Sequence, residues 1–190
     1  MMESFDLKSA RHWARELIER KVQLGDTALD ATMGNGHDTK WLCELVGENG
    51  HVYSFDVQPG ALMNTRKLLT DGALIDRAEL ILDGHEHMAR YVDRPVDVAL
   101  FNLGWLPGGD KRITTRSDTT LAALDACLTL MKPGGLMTVC VYPGHEEGAI
   151  ECEMVLDWAQ KLPARSAQTL LIRYLNQPAH TPLVIAVHKR

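Results

Sequence analysis

Apolar positions along the chain recur at two different spacings. Within residues 8–22, apolar side chains recur every three or four positions, as at Ala10, Ala14 and Ile18, which predicts an amphipathic helix. Short apolar runs rich in strand-forming residues then alternate with further helical stretches, and glycine or proline separates many of them. The predicted strands are 27–32, 51–57, 78–83, 96–102, 136–142, 168–175 and 183–188, and the predicted later helices are 38–46, 59–69, 117–131 and 147–162. This alternation is typical of a parallel sheet with helices packed on it.

The order of these elements predicts a Rossmann-like α/β fold with a doubly wound, mostly parallel sheet of seven strands. The run at 96–102 is mostly apolar, which is typical of a central strand covered on both faces. Ligands of such sheets bind beyond the carboxyl ends of the strands, at the point where the strand order reverses. We therefore expect a crevice beyond the ends of the first and fourth strands.

Length and composition narrow the class of protein. The 190 residues suit one domain, with the helix in residues 1–24 packed on or beside it. Hydrophobic residues make up 45% and charged residues 24%, which excludes a disordered chain. The apolar runs are shorter than the ~20 residues of a membrane span and the N-terminus is charged throughout, so a cytoplasmic protein is expected. The four cysteines form no C-x-x-C pair and lie in apolar segments, which favours buried thiols.

A glycine-rich turn joins the first strand to the next helix. Its sequence is DATMGNGHDT, in which the glycines allow close approach of a ligand and the helix start favours an anionic group. Asp56 ends the second strand, where a carboxylate can accept hydrogen bonds from both ribose hydroxyls of a nucleoside. An ordinary glycine turn is the alternative. The predicted cofactor-binding residues here are Asp30, Gly34, Asn35, Gly36, His37, Asp38, Thr39, Asp56 and Gln58.

Two classes of nucleotide-binding enzyme share these features. A dinucleotide-binding dehydrogenase would carry a third Gly or Ala where this chain has Thr39, and the length leaves no room for its substrate domain. Asp30, inside the strand before the glycines, suits S-adenosylmethionine, whose amino group an acid there can help to hold. The KPGG turn before the fifth strand also resembles the methyltransferase pattern. The sequence therefore favours the class I methyltransferase form of this fold.

The segment DGHEH follows the third strand, where this fold meets the adenine ring. We expect Gly84 and His85 to border that ring. His85 and His87 alternate along the chain without a third ligand nearby, so no metal site is predicted.

Two further segments predict the acceptor site. NLGWLPGGDK follows the fourth strand, where the side chain of Asn102 can accept a hydrogen bond from an amine and Trp105 can stack on a base. A loop that only seals the core is the alternative. YPGHEEG ends the fifth strand, where Tyr142 and His145 can line the acceptor pocket, and histidine is suited to proton exchange near neutral pH.

These segments together resemble one known family. DATMGNGHDT, FDVQ, DGHE, FNLGWLPGGDK, YPGHEEG and LNQ occur in the order typical of the YtqB-like proteins, once labelled rRNA methylases. The resemblance extends from about residue 24 over nearly the whole chain. Members of the MnmM type methylate the 5-aminomethyl group of 2-thiouridine at the tRNA wobble position.

The resemblance implies a reaction and roles for the acceptor site. S-adenosylmethionine would give its methyl group to the primary amine, with neither a metal nor a covalent intermediate. Asn102 would hold the amine, whereas Tyr142 and His145 would position the base or relay its proton. Leu103, Gly104 and Trp105 would line the site for the base. Methyltransfer to rRNA or a small amine stays open, as does a non-catalytic module that binds the cofactor.

Binding of a tRNA anticodon loop needs positive charge in a chain whose net charge is −5. Lys111, Arg112 and Arg116 follow the substrate loop and are the predicted phosphate contacts. The charges of the first helix nearly cancel, which predicts a solvated face there. The sequence is compatible with a homodimer but does not determine the oligomeric state.

Overall fold

A single sheet organises the chain in the computed structural model, which describes residues 7–106, 108–110 and 112–190. The strands are β1 Thr27–Asp30, β2 His51–Asp56, β3 Ala78–Leu82, β4 Val96–Asn102, β5 Met131–Val141, β6 Ala167–Ile172 and β7 Leu183–Lys189. The α-helices are α1 Ala10–Lys21, α2 His37–Val46, α3 Pro59–Asp71, α4 Ser117–Leu130 and α5 Glu146–Lys161. Two short 3-10 helices span Ile75–Arg77 and His85–Arg90.

The strand order is β3-β2-β1-β4-β5-β7-β6. Strands β1 to β5 pair in parallel, and β7 is antiparallel to both of its neighbours. The order reverses between β1 and β4, so the carboxyl ends of these two strands diverge into a crevice. The predicted doubly wound, mostly parallel sheet of seven strands is confirmed.

The central strand β4 is buried on both faces. Val98 belongs to a buried cluster with residues of α1 and α2, whereas Phe101 belongs to the cluster that α4 and α5 cover on the other face. Helix α1 packs on the sheet through its alanines, since Ala10 and Ala14 lie in one cluster with Leu100 of β4. Small side chains at these positions allow α1 to pack close to the sheet.

All four cysteines are free and buried, as their apolar neighbours predicted. Within the part of the chain that the structure describes, no helix combines the length and apolarity needed to cross a membrane.

Candidate functional site

A cavity of about 700 Å³ lies at the carboxyl edge of the sheet, where the strand order reverses. This volume is within the range of small-molecule sites in proteins. Most of the residues predicted from the sequence line it, namely Gly34, Asn35, His37, Asp38, Asp56, Gln58, His85, Asn102, Leu103, Gly104, Trp105, Arg116, Tyr142 and His145. Asp30, Gly36, Thr39, Gly84 and Arg112 are not part of the lining. Lys111 lies outside the described residues.

Asp56 is held rigidly at one end of the cavity. Its Oδ2 accepts a hydrogen bond from the backbone N of Gly34 at 3.0 Å, and its Oδ1 accepts one from the backbone N of Gln58 at 2.9 Å. A carboxylate oxygen can accept more than one hydrogen bond, so both oxygens keep acceptor capacity toward the cavity. The side chain thus connects the glycine turn with the start of α3 and remains able to bind a pair of hydroxyls.

Asp30 and Thr39 lie beneath the glycine turn and not at its surface. Asp30 is fully buried; its Oδ2 accepts a hydrogen bond from Thr39 Oγ1 at 2.7 Å, and its Oδ1 accepts one from the backbone N of Thr32 at 3.1 Å. Burial, together with the nearby charge of Asp38, raises the pKa of Asp30 to about 7. The predicted direct contact with the cofactor is therefore corrected for both residues, because their polar atoms brace the turn from below.

Gly36 is also a structural residue. Its φ of +80° favours glycine, and a Cβ at this position would lie 2.6–2.9 Å from atoms of Thr65, including its Cα. The start of α2 therefore approaches α3 more closely than any side chain would allow. The structure thus gives Gly36 a packing role, and its contact with the cofactor stays a prediction.

Gly36→Ala is expected to lower the free energy of unfolding by about 1–3 kcal/mol, because a methyl group there overpacks the contact with Thr65 and strains the backbone. Urea denaturation with an unchanged slope measures this loss. Gly60→Ala in α3 is the matched control, since a Cβ there meets nothing within 4 Å. Equal midpoints for the two variants would contradict the packing role.

His85 lines the cavity next to the glycine turn. Its Nδ1 lies 3.1 Å from the carbonyl oxygen of Ala31, and burial lowers the pKa of the ring, so the neutral ring donates from Nδ1 and keeps Nε2 as an acceptor. His87 instead pairs with Asp83 at 2.8 Å, and together with Tyr91 it lowers the pKa of that carboxyl to about 2. Gly84 is buried beside the Glu86 carboxylate and off the lining, which corrects its predicted contact with the cofactor.

Asn102 lies at the end of β4 and lines the cavity. Its backbone N donates to Thr32 Oγ1 at 2.8 Å, and its side-chain Nδ2 donates to Asp38 Oδ2 at 2.7 Å. Its Oδ1 is buried and has no hydrogen-bond partner among the described residues. Oγ1 of Thr114, a residue that also lines the cavity, likewise has none. A buried acceptor without a partner is costly unless a ligand completes it, so this oxygen marks the place for a donor.

His145 lines the cavity and also caps the last helix, α5. Its Nδ1 accepts a hydrogen bond from the backbone N of Gly148 at 3.1 Å and caps α5, and a Cβ at Gly148 would come within 2.7 Å of its Nε2. Both ring nitrogens thus lie against the first turn of α5, while the ring packs on Trp105 at 4.5 Å between centroids. Nε2 is buried and has no hydrogen-bond partner among the described residues. The arrangement fits support of Trp105, and the role of His145 in positioning the base or relaying its proton stays a prediction.

Tyr142 is unsuited to accept a proton. Burial raises the pKa of its hydroxyl to about 12, so the group stays protonated near neutral pH. It can donate or accept a hydrogen bond, but it does not act as a base. It lines the cavity, as predicted.

The loop after β4 is closed by hydrogen bonds at its base. Thr115 Oγ1 accepts from the backbone N of Gly104 at 2.8 Å and donates to Glu151 Oε2 at 2.9 Å, and Thr120 Oγ1 donates to Glu151 Oε1 at 2.6 Å. Glu151 is almost fully buried, and that burial raises its pKa. The sequence reasoning missed Glu151; the only signal for it was a carboxyl on the apolar face of α5.

The arginines near the cavity differ in how far their charge is balanced. Arg112 is exposed and its guanidinium contacts both carboxylate oxygens of Asp110, at 2.7–3.0 Å, so much of its charge is compensated. Arg116 lines the cavity, and among the described residues the carboxylate paired with it is that of Asp118, 3.9 Å away. Arg116 is therefore the better candidate for a phosphate contact.

The first helix also reaches the site, which corrects the prediction of a solvated face. Arg11 and Arg15 both bind the carboxylate of Asp38, with Arg11 Nη2 and Arg15 Nε at 2.9 and 2.8 Å from Oδ1, and Arg11 lines the cavity. This contact follows from the close packing of α1 on the sheet.

Comparison with known proteins identifies relatives over nearly the whole chain. A family model described as "Putative rRNA methylase" matches residues 52–188. The chain is 38% identical to the Arabidopsis thaliana protein named tRNA (mnm(5)s(2)U34)-methyltransferase, chloroplastic, over 98% of this chain and 71% of that protein.

Solved structures give the same result. The crystal structure of a "putative rRNA-methylase" from Clostridium thermocellum matches with a TM-score of 0.95 and 41% identity, covering 98% of this chain and 100% of the other. That of a "putative methyltransferase" from Streptococcus mutans in complex with SAH matches with a TM-score of 0.88 and 32% identity, covering 97% and 100%. The predicted methyltransferase form of the Rossmann-like fold is confirmed.

Proposed function

The chain belongs to the rRNA methylase family, and from that premise we propose that it methylates the primary amine of 5-aminomethyl-(2-thio)uridine at the tRNA wobble position. It is an S-adenosylmethionine-dependent methyltransferase. The likeness to the Arabidopsis tRNA enzyme supports the choice of tRNA. The observation that carries an amine acceptor is the unpartnered Oδ1 of Asn102 beside the cavity.

The residues present fit the cofactor. Both carboxylate oxygens of Asp56 keep acceptor capacity for ribose hydroxyls, and Nε2 of His85 is an acceptor suited to the edge of a purine. Gly34, Asn35, His37 and Gln58 line the same cavity and would enclose the rest of the molecule. When bound there, S-adenosylmethionine supplies a methyl group on a positively charged sulfur.

The enzyme's own residues then need to present an unprotonated amine. Oδ1 of Asn102 accepts a hydrogen bond from the amine and so directs the nitrogen lone pair away from itself. Arg11 and Arg15 together carry one more charge than the Asp38 carboxylate that they bind, and this net positive charge disfavours the ammonium form. Tyr142 stays protonated near neutral pH, and Nδ1 of His145 already accepts from Gly148, so we assign neither as the base. The amine enters neutral, and after transfer the methylated ammonium releases its proton to water.

Trp105 provides a surface on which the base can stack, and the loop that carries it is held closed by Glu151. Wobble nucleotides lie in a single-stranded loop, where a base can be turned out and stacked on an aromatic side chain. The acceptor amine would thereby reach Asn102 while the backbone of the anticodon loop passes Arg116.

Nucleoside mass spectrometry tests the proposed function. The purified protein is incubated with S-adenosylmethionine and tRNA that carries 5-aminomethyl-2-thiouridine, and with rRNA and a small primary amine in parallel. Conversion of the wobble nucleoside to its methylaminomethyl form, and of neither other acceptor, is the expected result. Methylation of rRNA or of the small amine alone would replace the proposed substrate, and cofactor binding without turnover on any acceptor would contradict an enzyme.

Arg116→Ala is expected to make tRNA binding less sensitive to salt, because the loss of one phosphate contact lowers the slope of log K against log salt by about 0.7 for a single-stranded region. Binding titrations at several salt concentrations measure the slope. Arg165→Ala is the control, since Arg165 is exposed before the start of β6, at the opposite edge of the sheet. An unchanged slope for Arg116→Ala would move the phosphate track elsewhere.

A further inference from the structure

The carboxylate of Asp38 connects the first helix to Asn102. Asp38 lies in the first turn of α2 and is only 6% exposed. Its two oxygens have different partners: Oδ2 accepts from Nδ2 of Asn102 at 2.7 Å, whereas Oδ1 accepts from Arg11 and Arg15. Arg15 is itself fixed, because its guanidinium also lies 4.7 Å over the ring of Trp41.

This arrangement determines which end of the Asn102 amide lies away from Asp38 and is left without a partner among the described residues. The two ends of an asparagine amide have nearly the same shape, so only their hydrogen bonds distinguish them. A rotated amide would place Oδ1 against the negative Oδ2 of Asp38 and would turn Nδ2, a donor, toward the substrate. A donor there would oppose an amine, whereas the observed orientation leaves an acceptor, Oδ1, for it.

We propose that Asp38, held by Arg11 and Arg15, is a positioning residue that keeps Oδ1 of Asn102 toward the acceptor amine. Helix α1 is thereby part of the machinery of methyl transfer, although it contributes no group that reacts. This inference rests on the proposed function insofar as the acceptor is an amine. It gives Asp38 a role different from the predicted one of a cofactor ligand, since its Oδ1 already accepts from two guanidinium groups and its Oδ2 from the Asn102 amide.

A positioning role and a cofactor-binding role predict different kinetics. Asp38→Asn keeps the size of the side chain but removes the charge that discriminates between the two ends of the Asn102 amide. We expect the single-turnover rate to fall by about tenfold or more, as loss of orientation commonly causes, while the cofactor dissociation constant changes little. Asp71→Asn is the matched control, since Asp71 is an exposed partner of Lys67 at the end of α3.

The double variant with Asp38→Asn and Asn102→Ala separates a positioning role from a merely structural one. If Asp38 acts through Asn102, Asp38→Asn should lower the rate of the parental enzyme but should have little further effect on Asn102→Ala. Multiplying rate losses in the double variant would overturn the proposal, as would a parental rate for Asp38→Asn. A loss confined to cofactor affinity would restore Asp38 as a cofactor ligand and would equally overturn it.

Asp38→Asn leaves two guanidinium groups without a charged partner and could fail to fold, so a second variant carries the same test. Arg15→Ala retains Asp38 and Arg11, and we expect a smaller rate loss that disappears in the Asn102→Ala background. Arg20→Ala, which removes an exposed ion pair with Glu16 on the same helix, is its control. A rate loss from Arg15→Ala that persists without Asn102 would overturn the proposal.

All variants are compared on the acceptor that the parental enzyme methylates. If the parental protein acts on rRNA or a free amine instead of the wobble nucleoside, the proposed substrate fails while the test of Asp38 proceeds on that acceptor. If the wobble nucleoside is methylated and Asp38→Asn is as fast as the parental enzyme, the positioning role alone fails.

Discussion

Asn102→Ala is expected to lower the rate of methyl transfer by about 10²-fold or more while cofactor affinity changes little, because removal of an orienting acceptor acts mainly on the chemical step. The side chain stands at the end of a rigid central strand, with its backbone N bonded to Thr32 and its Nδ2 bonded to Asp38. Its Oδ1 is the polar atom left for a substrate. Single-turnover rates and calorimetric titration with the cofactor measure the two effects separately.

Asn49→Ala removes an exposed asparagine between α2 and β2, at the opposite edge of the sheet, and should leave the rate unchanged. A parental single-turnover rate for Asn102→Ala would make Asn102 structural and would remove the basis for an amine at this position.

Asn102→Asp would place a second carboxylate both beside the acceptor amine and beside Asp38. A carboxylate beside the amine favours the ammonium form and raises the pKa of the amine, so the reaction should be slow near neutral pH and recover in part as the pH rises. However, the new carboxylate would also face Asp38 Oδ2, where Nδ2 now lies at 2.7 Å. The two carboxylates would compete for one proton, and the pH profile would therefore report their coupled titration together with that of the amine.

The fold could be predicted from the sequence wherever local pattern and pairing agree. The predicted bounds of strand β4 agree with the observed ones, because a mostly apolar run flanked by polar residues is typical of a central strand that is buried on both faces. The last residues of the sixth strand were predicted wrongly as far as 175, since β6 ends at Ile172. Ile172 pairs with Val184, and β7 begins only one residue before Val184. Residues after Ile172 therefore have almost no residues of β7 left to pair with, and β6 ends there.

Strand β5 shows how a pairing contact can extend a strand beyond its pattern. The KPGG segment predicted a helix stop and a turn before residue 136, but the strand begins at Met131, which pairs with Val96 before the register shifts. Lys132 holds this irregular stretch through an ion pair of 2.7 Å with Asp97. An interaction across 35 positions leaves no local signal in the sequence.

The sequence predicts where the candidate site lies more accurately than it predicts which side chains reach the cavity. Strand ends converge in any doubly wound sheet, so the sequence could identify the segments that meet at the crevice. Within a segment, the direction of each side chain depends on the local turn, and in the glycine turn Thr39 points into the protein while Asp38 points to the cavity edge. The partners of Asp38 on α1 were missed because opposite charges within that helix suggested that its arginines needed no distant partner.

Asp56→Ala is expected to weaken cofactor binding by about 10²-fold or more, since each charge-assisted hydrogen bond that is lost costs about 1.5–3 kcal/mol and a ribose offers two hydroxyls. The structure adds a second reason for a large effect. Asp56 also fixes the backbone of Gly34 and Gln58, so its removal loosens both the glycine turn and the start of α3. Calorimetric titration with the cofactor measures the loss, and Asp71→Ala serves as a control for removing an exposed aspartate.

Asp56→Asn separates the two contributions of this side chain. The amide retains one oxygen that can accept a hydrogen bond from Gly34 or Gln58, but its NH₂ group can satisfy neither backbone donor and carries no charge for the ribose. We expect its affinity for the cofactor to fall between those of the parental protein and Asp56→Ala, and its unfolding midpoint in urea to do the same. Parental affinity in both variants would exclude Asp56 as the ribose ligand and would place the nucleoside elsewhere in the cavity, because no rearrangement of the turn could leave binding unchanged after the loss of two such hydrogen bonds.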